Sequence, residues 1–571
     1  MGIRGLQSYM EEDSELCPET CISELIKENE SASKRRPLIV IDLSSTIYHM
    51  FSGVDWLSGG NFQLFELKAC YWIEKFVNLG ADLEFWCDGS CPTAKIPEKI
   101  QRKRDKLVEV EKAIFKNQNL SEIKEKYPIV LPPSTTSTLR YIISRKKHCK
   151  VYTAVEEADG VVAVEANRKN AIAVIAQDSD FVCMKGRWKY ISAKDINLER
   201  MTSRCYNSRT LAHKLGLKVD HLPLLATLIG NDIVQKHLLK VFHSRITNNI
   251  WEKSFLYQKI ADYVAQFNPS LTENDFEKIA KETSVEIELL MISVNSYSVN
   301  QRSNLLNIAE HGSTIRVAYN KALIGEMHSK IFSILKDQVV FLDVPLENPN
   351  CEFIQTSIAE IYRPVRQRFY KLLFSKTFVK CVQEILDYSI MIDFGTNEFT
   401  QAIGFPELWN NDVLQLRRFL YCIFGYDKSH KVLSRYYSIQ LKFMFPMLVL
   451  SYLCHSKVAI YDWEIRSFLI TFQLLLNGTG SDSKLLTQQL DLYDHHAVHL
   501  AWVFLSGVSL FEIINSACGN YFQPEVYLPL KYFNGLMFQK IYQTLKMDKL
   551  SYLNDDEKSI RTLRCFLDAI N

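Results

Sequence analysis

Val174-Ile175-Ala176 runs into Gln177-Asp178-Ser179-Asp180, so a short apolar run ends on two carboxylates one residue apart. Residues 171–176 are too few for a helix and are bounded by polar residues, which predicts a buried strand. Asp178 and Asp180 then fall at its C-terminal end. Open α/β sheets gather ligands at the carboxyl ends of their strands, so two acids there occupy the position of a site and not of a core. Three more strand-like runs end in acid: residues 38–41 run into Asp42, 83–87 into Asp88, and 224–229 lead to Gly230-Asn231-Asp232. Between them Val155-Glu156-Glu157-Ala158-Asp159 opens a predicted helix. Glu157 and Asp159 would not share a helical face, so one must lie in the irregular first turn for both to reach a common point.

Asp42, Asp88, Glu157, Asp159, Asp178, Asp180 and Asp232 are therefore candidate ligands. Taken singly, each is more readily a turn or helix-cap acid. Clustered in a low-dielectric pocket they would repel one another unless cations neutralised them. An all-oxygen set without His or Cys suits Mg²⁺ or Mn²⁺ better than Zn²⁺. Two such ions about 4 Å apart are the arrangement that supports in-line attack on a phosphodiester. Metal-assisted phosphodiester hydrolysis is the expected chemistry.

The order and spacing of Met1-Gly2-Ile3-Arg4-Gly5-Leu6, Val40-Ile41-Asp42, Cys87-Asp88-Gly89, Glu157-Ala158-Asp159, Asp178-Ser179-Asp180 and Leu228-Ile229-Gly230-Asn231-Asp232 resemble the motifs of the XPG/flap-endonuclease superfamily of PIN-like nucleases. Asp55-Trp56-Leu57-Ser58-Gly59-Gly60 and the segment from Leu222-Pro223 to Asp232-Ile233 look most like its constitutive coactivator of PPAR-gamma branch, with the asteroid branch close behind. The resemblance covers about the first 240 residues; the set is specific, though each motif alone is weak.

The resemblance implies an α/β PIN-like (XPG-type) domain with a mainly parallel sheet, and roles for four further residues. Gly2 would let the backbone approach substrate phosphate near the metals. Tyr48, six residues after Asp42, would stack on a base; a core tyrosine on a helix over 45–51 fits equally well. Lys95 and Arg102, in a charged helical gateway at about 92–127, match the cations that face the scissile phosphate and would stabilise its developing charge. The bland reading of that run is a solvated helix with i,i+4 ion pairs, and Pro97 disturbs its first turn. Flap endonucleases continue past the last acid into a Gly-x-Gly motif that grips duplex backbone. Here Val234-Gln235-Lys236-His237-Leu238-Leu239-Lys240-Val241 has no glycine, so that grip is not expected.

Composition narrows the setting. A chain of 571 residues, 47% hydrophobic and 12% aromatic, can fill real cores in two to four domains. Its formal net charge of +2 gives no global drive toward nucleic acid, leaving any phosphate binding to local patches. Fourteen cysteines without CxxC pairs suggest a reducing compartment. The longest apolar run, 443–454, contains Pro446 and is too short for a bilayer, so no membrane association is expected. An intracellular location follows, the nucleus ahead of the cytoplasm, although Lys34-Arg35-Arg36 is too short to serve as a signal.

Helical periodicity dominates from about residue 246. Helices are predicted over 273–294, 313–336, 357–389, 413–424, 431–454, 465–476, 495–514 and 531–545, which gives a domain of residues 1–245 and an all-α region of 246–571. Residues 477–483 are a Gly/Ser loop without the strand or GK[ST] of a phosphate cradle. Asp491, His495 and His499 are spaced along one helix face; a satisfied polar face accounts for them better than a metal site. The leading expectation is a structure-selective nuclease, its partner DNA or RNA, single-stranded or at a junction. The alternative is a catalytically silent PIN-like scaffold that binds nucleic acid or regulatory proteins, with protein partners on the helical half.

Overall fold

The computed structural model describes residues 2–91, 127–298, 313–342, 356–375, 379–393, 412–478 and 493–547, apart from 4, 387–388, 436–437, 457 and 459, with isolated positions in 96–111, at 346–347 and in 561–567. Lys95, Arg102 and Asp491 lie outside the described residues, as does most of the gateway segment and of the Gly/Ser loop. The chain divides into two units. Met1–His49, Tyr71–Glu98 and Lys146–Asn307 form the first; Met50–Cys70, Lys99–Arg145 and Ile308–Asn571 form the second. Sequence placed a boundary near residue 245, whereas the helices up to Ile287–Asn295 group with the first unit.

In the first unit seven strands make one sheet: β1 (Glu19–Cys21), β2 (Leu38–Asp42), β3 (Asp82–Cys87), β4 (Cys149–Thr153), β5 (Ala173–Ala176), β6 (Lys189–Ser192) and β7 (Thr202–Tyr206). Their spatial order is β1-β7-β6-β5-β2-β3-β4. The run from β6 to β4 is parallel, while β7 and β1 attach antiparallel at one edge. Ile39, Val40 and Ile41 of β2 and all four residues of β5 are buried, the unbroken apolar pattern of strands covered on both faces. Strands β2, β3 and β4 progress in one direction; β5 then returns to the other side of β2. The reversal puts the topological switch point at the carboxyl ends of β2 and β5, the position where such sheets bind ligands.

One sequence expectation fails in this unit. Residues 224–229 are not a strand but the end of helix Leu222–Ile229, with Pro223 in a first turn that needs no N–H from it. Every other residue of that helix is buried, so no periodicity separates it from a buried strand. The polar lead-in 11–37 contains β1 and helix Ile22–Ser33, whose Ile22, Leu25 and Ile26 sit at i, i+3 and i+4 and are buried.

The second unit is helical but not all-α. β8 (Val339–Phe341), β9 (Cys381–Ile385) and β10 (Ser389–Asp393) form a sheet in the order β10-β9-β8. The helix expected over 357–389 therefore stops with Arg363–Leu373, and the chain returns as β9. What fixes that return is a buried ion pair: Arg366 donates to both oxygens of Glu384, at 2.6 and 2.9 Å, and the Tyr370 hydroxyl donates to the same carboxylate. Other predicted helices break in two, as Glu273–Thr283 does at Ser284, which takes a left-handed φ of 59°. Helix His495–Ala517 is long and apolar enough to cross a membrane by length and composition, yet 83% of its apolar window is buried within the protein, as in a core helix. His499 is buried on it, and burial pulls its imidazole down to about 4.

Residues 55–60 pack into this helical unit. Asp55 accepts from the Leu57 and Ser58 backbone and from the hydroxyls of Ser58 and Tyr493. Trp502 Nε1 donates to Leu57 O at 3.0 Å, and Gly535 N donates to Gly60 O at 2.8 Å. Gly59 holds φ 97°, and a Cβ there would lie 3.1 Å from both Ala501 and Leu505 and 3.3 Å from Phe533. Strain and crowding act together, so Gly59→Ala is expected to destabilise the second unit by about 2 kcal/mol. An unchanged urea midpoint would show that this packing does not hold the segment.

Candidate metal-binding acid site

Each acid is placed by the element that precedes or follows it. Asp42 closes β2 and is buried; its Oδ1 accepts the N–H groups of Ser44 (3.0 Å) and Ser45 (3.3 Å), where helix Leu43–Met50 begins. Asp88 follows β3 directly and is exposed. Its Oδ1 accepts the Ala158 N–H at 2.8 Å, capping helix Ala158–Arg168 from a neighbouring loop. Glu157 stands at the N-cap of that helix in extended conformation with Asp159 in the first turn, as the shared-target argument required. Asp178, two residues past β5, accepts the Asp180 N–H at 3.0 Å. Gln177 N donates to Ser45 Oγ at 2.9 Å, which ties the ends of β5 and β2 together.

These carboxylates act on one another. Burial first, then Asp88 and Asp178, pushes the Asp42 carboxyl up to about 7, against the opposing hydrogen bonds from Ser45. Burial, then Asp178, Asp42, Asp88 and Glu157, raises Asp159 well above the carboxylate range. Five of the seven expected acids thus share one field. Asp180, buried, and Asp232, half-buried, are not among the charges that act most strongly on Asp42 or Asp159. Among the described residues no three His, Cys, Asp or Glu side chains form a ligating group. The donor chemistry fits a hard divalent ion. The arrangement is a cluster that repels, not a closed ligand shell.

Gly2 lies against Asp178 and Ser179. With φ 78°, its Cβ position falls 1.9 Å from Asp178 Oδ1 and 2.9 Å from Ser179 Oγ, so no side chain fits between backbone and acids. Tyr48 lies half-buried on helix Leu43–Met50. Sequence reasoning missed the residues that hold Asp180. The buried Tyr297 hydroxyl donates to Asp180 Oδ1 at 3.1 Å, and Asn231 Nδ2 donates to that hydroxyl at 3.0 Å. Asn231 stood inside a quoted motif beside Asp232, whereas nothing local marked Tyr297.

Removing one charge should relieve the others. In metal-free protein Asp178→Asn is expected to raise the thermal midpoint of the first unit, because Asp42 and Asp159 both feel Asp178. The sign follows from the raised carboxyls: repulsion needs ionised neighbours, so the gain is full above pH 7 and vanishes below about pH 4. Melting curves at pH 8 and pH 4 check this; equal midpoints for both proteins at pH 8 would refute the coupling.

Comparison with known proteins agrees with this architecture in sequence. Residues 215–301 match the FAM120A-like domain. The constitutive coactivator of peroxisome proliferator-activated receptor gamma from Bos taurus is 21% identical over 95% of this chain and 91% of its own length. The Mus musculus protein of that name is 23% identical over 47% of this chain, and the match spans only 35% of its length. The single-strand DNA endonuclease ASTE1 of Danio rerio is 23% identical over 47% of this chain and 38% of its own. Among solved structures, the catalytic core of Rad2 in complex with DNA substrate is similar at TM-score 0.32 and 15% identity, covering 58% of this chain and 97% of that one. Human GEN1 in complex with Holliday junction DNA gives TM-score 0.31 and 14% identity over 59% of this chain and 79% of that one. The chain is thus similar to proteins named constitutive coactivator of peroxisome proliferator-activated receptor gamma and to one named single-strand DNA endonuclease ASTE1, and its first unit is an α/β fold around a mainly parallel sheet.

Proposed function

We propose that the first unit is a divalent-metal-dependent, structure-selective nuclease. One observation carries the reading: acids from three strand ends and one helix start, Asp42 and Asp178 among them buried, share one field at the carboxyl edge of the sheet, where their repulsion is a cost without a cation. Asp42, Asp88, Glu157, Asp159 and Asp178 would hold Mg²⁺ or Mn²⁺, two ions in all, with Asp180 and Asp232 completing the set directly or through water. Bound there, such ions would supply Lewis acidity toward a phosphodiester and a more acidic water. The chain's own part is to aim the carboxylates, to bring the Gly2 backbone close, and to offer Lys95 and Arg102 to the phosphate oxygens and Tyr48 to a base. DNA or RNA is the proposed substrate, and the nucleus the proposed location. Without the Gly-x-Gly segment, single-stranded ends should be cut about as well as duplex junctions; the Danio rerio relative is named for single-strand DNA cleavage.

A second reading has its own support. The relative that spans 95% of this chain is named a coactivator, and a coactivator needs no hydrolysis. As a catalytically silent scaffold, the chain would bind nucleic acid or regulatory proteins, the latter through the helical second unit.

The decisive experiment is cleavage of flap, 3′-overhang, single-stranded DNA and RNA substrates by pure protein in Mg²⁺ and in Mn²⁺, with Asp180→Asn alongside. Metal-dependent cutting that the variant loses by at least about 100-fold supports the nuclease. Cutting that survives in Asp180→Asn places the activity elsewhere. No cutting, with no heat of metal binding, leaves the scaffold.

A further inference from the structure

Helix Ile287–Asn295 and the turn after it lie within the FAM120A-like residues and follow the part of the chain that lacks a duplex grip. Their link to the acid site has a direction that geometry alone sets. Asn231 Oδ1 accepts the backbone N–H groups of Ile233 (3.0 Å) and Val234 (2.8 Å). A backbone N–H can only donate, so that end of the amide is the oxygen and the other is the NH₂. The NH₂ donates to Ser293 Oγ at 2.7 Å and to the Tyr297 hydroxyl oxygen at 3.0 Å. With its oxygen accepting from Asn231, Tyr297 has one proton left to give, and Asp180 Oδ1 lies 3.1 Å away. Ser293 resolves in the same way. Thr227 gives its only hydroxyl proton to Pro223 O, which leaves Ser293 to donate to Thr227 at 2.8 Å. All five side chains are buried, and reversing the amide would abandon the N–H groups of Ile233 and Val234, as reversing Ser293 would abandon the Pro223 carbonyl.

We infer that Tyr297 is a positioning residue for Asp180: committed by Asn231 to donate, it holds one carboxylate oxygen as an acceptor in a fixed orientation, as an acid that assists a cation must be. The FAM120A-like helices thereby act on the acid site instead of on duplex. This rests on the metal-dependent reading proposed above. A purely structural polar network would use the same bonds, so the test must read cation binding and folding separately.

Mn²⁺ affinity, from the spin-resonance signal of the free ion, and thermal midpoint are measured on the full chain, on Tyr297→Phe and on Tyr263→Phe, whose hydroxyl faces Glu282 and not the acids. Tyr297→Phe is expected to bind Mn²⁺ about 10- to 100-fold more weakly at an almost unchanged midpoint, with Tyr263→Phe like the parent. Should Tyr297→Phe fail to fold, Asn231→Ser, which keeps an acceptor for the turn but withdraws the donor from Tyr297, is expected to weaken binding in the same direction. Parent-like Mn²⁺ affinity in Tyr297→Phe, or in the substitute variant, overturns the inference and leaves the nuclease reading standing. A parent protein that binds no Mn²⁺ overturns both.

Discussion

Asp42 and Asp178 end neighbouring parallel strands at 3% and 5% exposure, and the surrounding structure must keep two carboxylates where water scarcely reaches. Backbone N–H groups of Ser44, Ser45 and Asp180 each meet one of these oxygens, which favours the charged form and fixes the rotamers. Burial and neighbouring charge still win at Asp42. Moving a carboxyl from its ordinary value to about 7 corresponds to about 4 kcal/mol against the ionised form. Whole domains are stable by only about 5–15 kcal/mol, so this is a large strain to carry at one edge of one sheet.

Much of that edge is legible in the sequence because a parallel strand buried on both faces is a short apolar run, and the residue that ends it must be polar to leave the core. β2 and β5 obey that rule, and Asp42 and Asp178 follow from it, whereas β3 reaches Asp88 with Glu84 buried in its middle and paired to Lys169. The rule fails where burial is total in a helix. Residues 224–229 carry no periodicity because helix Leu222–Ile229 has no exposed face to mark. It fails again where a strand's partner is remote. β9 looked helical because Arg366 and Glu384 fit a charged helix as well as a buried pair, and only tertiary contact chooses between them.

Asn231 and Tyr297 show a further limit. Their bond joins residues 66 apart in sequence, and neither end carries a local signature of the contact. At 234–241 the sequence offered only the lack of a glycine. Structure supplies what stands there instead. Asn231 turns its carbonyl to the N–H groups of Ile233 and Val234, shaping the loop that carries Asp232, and turns its NH₂ toward helix Ile287–Asn295. One side chain thus sets the loop and reaches the site.

Nuclease and scaffold make different physical demands on the same residues. A scaffold gains by any change that neutralises a repelling carboxylate, since uncharged isosteres keep the caps and turns at lower cost. Asp88 could cap helix Ala158–Arg168 as asparagine, and Asp178 could accept the Asp180 N–H in the same way. Nothing in the local geometry of those two bonds requires the second oxygen or the charge. The same holds for the bond from Tyr297 to Asp180, which an amide oxygen could also accept, so what the nuclease reading adds is a use for the charges themselves, which a bound cation would neutralise.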